Sequence, residues 1–465
     1  MHDLWSAVSK NKVLERVLPI LPPSSYLVGG CVRDFLLGRE PQDFDIVTYT
    51  DVWHLALQIE DILEGKAFWI DRERQVARVA CRNGELTMDV SPPRGPDITS
   101  DLSQRDITIN ALAYDTFSAE LIDPLEGLSD LRKGIVRIIS EDNLKDDPLR
   151  GIRALRFAIQ FGFDIAGETM SLIRAYAASI HRVSPERIKQ EFLKALTVSE
   201  GSLFFGLMAD TLYVEELFGH AHGLDPFSIS KAAIEHSLMT CREVNSLLLH
   251  AHTVLSGIGG YFSQEVEHGF SRAAVLRLSA FLAGIYSVNE SPEGLQKDST
   301  QSPRLLSPAE RFCRRLSLSL RAARIVGNTI SGYREVLALA DKQHIAGKDM
   351  YRLFRSYPEC IPEILLLAEG SSKAKFHAIR TNQPCAVLKP KIALFWSYYR
   401  ETYLLQKETP LITGNDIMRA FSLSRGPMIG ECLEQVEEAR SDGLIKSREE
   451  AIAYVRTIIS KGSPS

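Results

Sequence analysis

Near Asp147 the hydrophobic pattern of this 465-residue chain changes period, and that change limits the fold more than any other feature. Before it, the short apolar runs Tyr26–Val28, Phe44–Thr48, Val76–Cys81 and Leu86–Val90 read as strands between turn residues, with a helical stretch at Val52–Leu63. After it, apolar residues recur at helical spacing almost to residue 460. Residues 1–21 read as a short helix stopped by Pro22-Pro23. The polar, Ser- and Pro-rich run Asn289–Pro303 reads as a linker. The pattern therefore predicts an α+β chain. A small head with a mixed β-sheet (1–140) precedes an elongated all-α part divided into neck (141–200), body (201–400) and tail (401–465).

Composition narrows the classes. No apolar run approaches the roughly 18–20 residues of a membrane span, and the first residues lack the pattern of a secretory signal. The seven cysteines are far apart with no CxxC pair, which points to reduced thiols and a cytoplasmic location rather than a disulfide framework or zinc site. A net charge of −5 gives no hint of nucleic acid, so any such site must be a local basic patch.

The chemistry gathers in one stretch. Asp43-Phe44-Asp45 reads as strand, where residues two apart share a face. Two carboxylates there form a hard oxygen site suited to Mg²⁺, and two such ions roughly 4 Å apart could clamp an in-line phosphoryl displacement. A DxD alone is equally a solvated acidic turn. Upstream, a strand runs into Gly29-Gly30 and then a helix carrying Arg33, an arrangement that lets backbone N–H groups and a guanidinium approach phosphates. Asp89 is a possible third carboxylate, a general base or an aid to a metal ligand; a half-buried strand-end Asp is an equal reading. At the helix predicted to start at Asp147, Asp147 suits the N-cap and Pro148 the first turn. Arg150, Arg153 and Arg156 follow at spacing three on one face. A carboxylate beside an arginine can complement a base edge, and can equally be a plain helix ion pair.

The string GGCVRDFLLGREPQDFDIV resembles the signature of the class II tRNA nucleotidyltransferase and bacterial poly(A) polymerase family. Four further segments match in order: Gln104–Ala113, Asp123–Gly127 with Asp130 and Arg137, Asp146–Phe157, and Val183–Ile188 with Glu191. The resemblance implies that Asp43 and Asp45 hold Mg²⁺ and that Gly29, Gly30 and Arg33 bind the triphosphate. It implies that Arg105 and Asp106 contact the nucleotide at its ribose. Asp147 and Arg150, with Arg153 and Arg156 beyond them, would read the base, so that protein acts as template. It also implies CTP and ATP as nucleotides and the tRNA 3′ end as partner.

Residues 132–194 are net +4, which fits RNA backbone contact. The arginines of Glu310–Arg324 could grip phosphates or line a solvated helix. Residues 228–288 resemble the metal-dependent HD phosphohydrolase domain that some members carry. His236 stands in its first helix, but Ala283-Gly284 stand where its His-Asp pair should be, so no hydrolase activity is expected. The end (Pro410–Met418, Gly426–Gly430, Ser447–Ala451) resembles the tail with which bacterial CCA-adding enzymes contact tRNA. Three departures stand out: Gln104 for the usual Arg, Asp146 for Glu, and only fourteen residues in Ser91–Gln104. In the family a longer flexible loop there helps the switch from C to A addition, so its shortness points toward a partial enzyme; the resemblance implies CMP and/or AMP addition to the tRNA 3′ end, as complete CCA addition or repair, CC addition only, or addition of the terminal A only. A poly(A) polymerase and an inactive RNA-binding protein are the rival readings. The tail argues against the first. Intact Asp43, Asp45 and Arg33 argue against the second.

Overall fold

The computed structural model describes residues 4–81, 84–219, 229–286, 306–379 and 388–462; the predicted linker 289–303 lies outside them. The chain forms two compact units. The first is Met1–Ala195 with Leu207–Glu216; the second is Leu196–Gly206 with Leu217–Ser465.

In the first unit, the predicted N-terminal helix is two short helices, α1 (Leu4–Ser9) and α2 (Leu14–Val17), and a turn of 3₁₀-helix. Then come β1 (Ser25–Val28), α3 (Gly30–Leu36), β2 (Asp43–Thr48), α4 (Val52–Leu63), β3 (Lys66–Asp71), β4 (Val76–Cys81), β5 (Leu86–Ser91), α5 (Ile98–Ser103), β6 (Ala113–Asp115) and β7 (Leu121–Ile122). The seven strands make one sheet in the order β3-β4-β5-β2-β1-β6-β7. Only the β2–β5 pairing is parallel, so the sheet is mixed. All four predicted strands and the helix Val52–Leu63 are present. The strands β3, β6 and β7 were not foreseen: β3 mixes apolar and charged residues on both faces, and β6 and β7 are too short to show a period.

Alternation in β2 sets the site. Phe44 and Ile46 are buried, which puts Asp43 and Asp45 on the opposite face. Trp53 of α4 stacks on Trp69 of β3 with ring centroids 4.7 Å apart. The helix thereby covers the face that Trp69 shares through cross-strand pairing with Ala77, Val90 and Ile46, and the carboxylates stand on the other.

The first unit continues with α6 (Gly127–Lys133), β8 (Ile135–Val136), α7 (Glu141–Asp146), α8 (Leu149–Phe161), β9 (Asp164–Ile165), α9 (Gly167–Ala175) and α10 (Pro185–Thr197). Helix α8 buries Ile152, Ala154 and Leu155 and ends at Gly162, whose φ of +67° suits glycine. The helix starts one residue later than predicted, with Pro148 rather than Asp147 at the cap. Asp147 still accepts from Leu149 N–H at 3.3 Å, so it retains a capping bond while its own backbone is extended. The residue before a proline is steered out of the helical region, which moves the boundary.

Helices α11 (Leu203–Asp210) and α12 (Tyr213–Phe218) lead on to the second unit. Its body packs α13 (Lys231–Leu249) against α15 (Arg272–Ile285), with the single turn α14 (Ala251–Val254) between them. The rest comprises α16 (Pro308–Arg315), α17 (Leu320–Ala340), α18 (Gly347–Ser356), α19 (Ile361–Ile379), α20 (Leu388–Tyr398), α21 (Leu404–Glu408), α22 (Gly414–Phe421), α23 (Pro427–Ser441) and α24 (Arg448–Gly462). The tail has its own apolar cluster around Ile417, Cys432, Val436 and Val455. No helix among the described residues is long and apolar enough to cross a membrane.

Candidate active site

Strand β1 ends in Gly29, whose φ of +75° and ψ of −130° turn the chain into α3. A Cβ at Gly29 would lie 2.5 Å from Arg105 Nη1 and 3.3 Å from Asp45 Oδ2. The turn therefore needs glycine twice, for its backbone and for the room that Arg105 takes beside Asp45. Asp43 is exposed and accepts from Thr87 Oγ1 at 2.6 Å. Burial pushes the Asp45 carboxyl above its ordinary range. Arg105 opposes that shift, and Asp89 and Asp43 add to it. Asp89 lies directly opposite Asp45 in the β2–β5 pairing, but Arg78 holds both of its oxygens at 2.7 and 2.8 Å.

The other sequence-named residues are committed to partners. Arg33 is buried. It binds Asp34 at 2.9 Å and Asn110, and lies over the Phe161 ring at 4.6 Å. Arg105 is braced by Asp101 at 3.0 and 3.1 Å, a spacing of four along the chain. Its neighbour Asp106 is buried and faces the other way, accepting from Arg153 at 2.7 and 2.9 Å and from Asn110 at 3.1 Å. Burial alone would raise its carboxyl. Arg153 and Asn110 outweigh that and hold it below the ordinary carboxylate range.

Along α8 the three arginines share a face but not a fate. Arg153 bridges Asp106 and Glu191. Arg156 is buried against Glu191 and Gln160, 3.8 Å from the Phe157 ring centroid. Arg150 is half-buried and donates to the Arg105 carbonyl at 2.8 Å. Asp147 pairs with Arg187 at 2.8 Å rather than with Arg150. Asp101, Asn110 and Arg78 were not singled out from sequence. The four-residue Asp101–Arg105 spacing was the one available signal. Asp115 and Asp123 cap turns by accepting backbone N–H groups.

In the region that resembles the phosphohydrolase domain, two helices pack closely. A Cβ at Gly284 would lie 2.1 Å from Ser237 Oγ and 2.9 Å from its Cα, so α13 and α15 touch there. His236 is half-buried, with its ring pushed toward neutrality by burial and by Lys375. Of the Glu310–Arg324 arginines, Arg311 and Arg314 cap nearby carbonyls, and Arg321 lies 3.7 Å from Glu359.

Comparison with known proteins matches residues 25–137 to a family described as the poly A polymerase head domain. Residues 162–223 match the probable RNA- and SrmB-binding site of polymerase A. The chain is 31% identical over 436 residues to a CC-adding tRNA nucleotidyltransferase of Geobacter sulfurreducens, covering 93% of this chain and 91% of that one. The chain belongs to the tRNA nucleotidyltransferase family. An A-adding tRNA nucleotidyltransferase of Deinococcus radiodurans is 29% identical, with 94% and 96% covered. Among solved structures, a CCA-adding enzyme in complex with ATP aligns with a TM-score of 0.70 at 23% identity over 100% of this chain and 98% of that one. A Thermotoga maritima CCA-adding enzyme complexed with tRNA aligns at 0.66 and 21% over 98% and 99%. These two likenesses establish the shared fold.

Divalent-metal dependence is general in nucleotidyltransferases of this family, and the residues here fit it. Two hard carboxylates share one face of β2, and the Asp45 carboxyl is raised first by burial and further by its neighbours Asp89 and Asp43, a penalty on its charge that a bound cation would relieve. Among the described residues no group of three or more His, Cys, Asp or Glu side chains is placed to hold a metal. Bound phosphate and water would complete the shell.

Proposed function

We propose that this tRNA nucleotidyltransferase adds two CMP residues from CTP to the tRNA 3′ end and leaves the terminal A to another enzyme. The RNA 3′-hydroxyl oxygen bonds to the α-phosphorus and gives up its proton to water, the bond from that phosphorus to the bridging oxygen breaks, and pyrophosphate leaves. Asp43 and Asp45 would hold Mg²⁺, which when bound stabilises negative charge on the reacting phosphate. The Gly29-Gly30 turn would receive the triphosphate, and Arg105, beside Asp45, would steady it. Arg33, Asp106, Arg153 and Arg156 are positioning residues in this reading, because their charged groups are spent on one another and on Asn110 and Glu191. Asp89, doubly bonded to Arg78, orients the sheet face rather than accepting the proton. Asp147 and Arg150 would face the cytosine edge. Residues 1–140 would then be the catalytic head, 141–200 the neck that reads the base, 201–400 the body and 401–465 the tRNA-binding tail. We place the reaction in the cytoplasm with its tRNA.

One observation carries the restriction to CC. The short connection between β5 and α5 is pinned. Arg94 N–H donates to Asp101 at 3.1 Å, Gln104 Nε2 donates to the Arg94 carbonyl at 2.6 Å, and Asp97 caps α5 by accepting from Ser100. Gln104, the departure from the family motif, supplies one of these ties, and a segment so held is poorly suited to switch base preference. The A-adding relative supports a second reading, addition of the terminal A alone. Incubation with Mg²⁺, CTP or ATP and tRNA ending at the discriminator base, C or CC decides. The proposal expects two additions with CTP and none on the CC-ended tRNA with ATP. Extension of only the CC-ended tRNA, by ATP, would establish the second reading. A complete CCA would reject both, and long A tails on unrelated RNA would reject tRNA as substrate.

A further inference from the structure

The register of the sheet lines up the catalytic carboxylates with an exposed aromatic three strands away. Asp45 pairs with Asp89, Asp89 with Arg78, and Arg78 with Phe68. The adjacent row on the same face runs Asp43, Thr87, Ala80, Lys66. Directly paired residues project to one side of a sheet, so Phe68 and Lys66 stand on the face that carries Asp43 and Asp45. Strand β3 alternates in register with β4 from Lys66 to Trp69, beyond which the register shifts. Trp69 goes to the α4 side, while Lys66 and Phe68 go to the open side, where Phe68 is 43% exposed. Between the ends of the rows lie the small Ala80 and Thr87 and the mutually paired Arg78 and Asp89. An apolar ring left in water at the end of a row that begins at the reacting carboxylates asks for an occupant.

We propose that Phe68 and Lys66 form a subsite for the single-stranded 3′ end of the RNA being extended. Phe68 stacks on a base a few nucleotides upstream of the reacting hydroxyl, and Lys66 faces a neighbouring phosphate. Three strand spacings of about 4.8 Å put Phe68 about 14 Å from Asp45. A stacked strand rises about 3.4 Å per nucleotide, so the terminal nucleotide cannot occupy both places and an upstream one can. An aromatic platform beside a cation is how single strands are held without reading their sequence. That suits an enzyme whose primer end changes with each addition. The subsite lies one strand beyond Arg78 and is continuous with the catalytic face, which favours RNA over a protein partner. The inference rests on the function proposed above.

The test uses the full chain and tRNA-acceptor minihelices carrying 2-aminopurine at each of the last four positions in turn. Stacking on Phe68 quenches the probe at one position upstream of the end. Phe68→Ala removes that quench and raises KM for RNA on the order of 5- to 100-fold, the range of one lost base–aromatic stack, without moving KM for CTP. Phe68→Trp restores both readouts. Phe117→Ala, which removes a phenylalanine 76% exposed in the turn after β6, changes neither. Lys66→Ala lowers the slope of log affinity against log salt by about 0.7, one phosphate of a single strand. Unchanged quenching and RNA KM in Phe68→Ala would overturn the subsite, as would equal increases in KM for RNA and CTP. An unchanged salt slope overturns the phosphate contact. If the wild-type chain extends no tRNA, the proposed function fails instead, and the fluorescence still reports whether RNA stacks on Phe68.

Discussion

Gly29 and Gly284 are two glycines with the same constraint and opposite meanings. Each would drive a Cβ into a neighbour, Arg105 Nη1 at Gly29 and Ser237 Oγ at Gly284. At Gly29 the missing side chain makes room for a cation beside Asp45, and the backbone adopts a left-handed turn to allow it. At Gly284 the missing side chain lets two helices close against each other. The first glycine keeps a polar site open; the second closes a helix seam. Burial follows the same division. The sheet face carries charged groups with exposed edges, whereas α15 is buried along nearly its whole length. Close packing leaves no space for an ion between the two helices.

Four single substitutions and one double test that contrast, from the largest expected effect to the smallest. Asp45→Asn should lower nucleotide incorporation by roughly 10³-fold, because several kcal/mol of charge stabilisation disappear with the ligand. Gel assays of single additions measure it, and activity within tenfold of wild type would reject the metal assignment. Gly29→Ala should cost about 10²-fold in kcat/KM, since Arg105 must move by more than an ångström. Retained activity would mean that Arg105 does not act at Asp45.

Asp106→Asn should destabilise the first unit by about 1–3 kcal/mol at neutral pH, because Arg153 loses one of its two carboxylate partners and keeps Glu191. The Asp106 carboxyl lies below its ordinary range in the folded protein. Its stabilising effect is therefore complete above the unfolded carboxylate pKa of about 4 and is lost as pH falls through the lower folded value. Denaturant melts of wild type and variant should differ equally at pH 7 and pH 5.5 and converge only in stronger acid. Convergence already by pH 5.5 would contradict the depressed carboxyl. Gly284→Ala should cost about 1–3 kcal/mol, as overpacking does, with activity per folded molecule retained. A gain of metal binding in Ala283→His with Gly284→Asp, read by calorimetry with Mn²⁺ alone, would show that the seal is weaker than the packing implies.

Much of the site was legible before any tertiary structure. The DxD on one strand face, the glycine turn upstream and the helix after Asp147 follow from local periodicity, and the first two stand together as expected. The helical body was equally readable. What could not be read was the partner of each charged side chain. Arg33, Arg153 and Arg156 looked like three hands for a nucleotide, yet they hold Asn110, Asp106 and Glu191. Asp147 and Arg150 looked like a pair, yet Arg187 and the Arg105 carbonyl take their places.

The amino-acid sequence by itself determined which residues share a face, because strand and helix periods are set by backbone geometry within a few residues. Only the tertiary structure decided which charges meet. Those contacts join segments 35 to 77 positions apart, and a long flexible side chain has no preferred partner until packing removes the alternatives. The row from Asp45 to Phe68 was decided in the same way, by the register of four strands that no local pattern specifies.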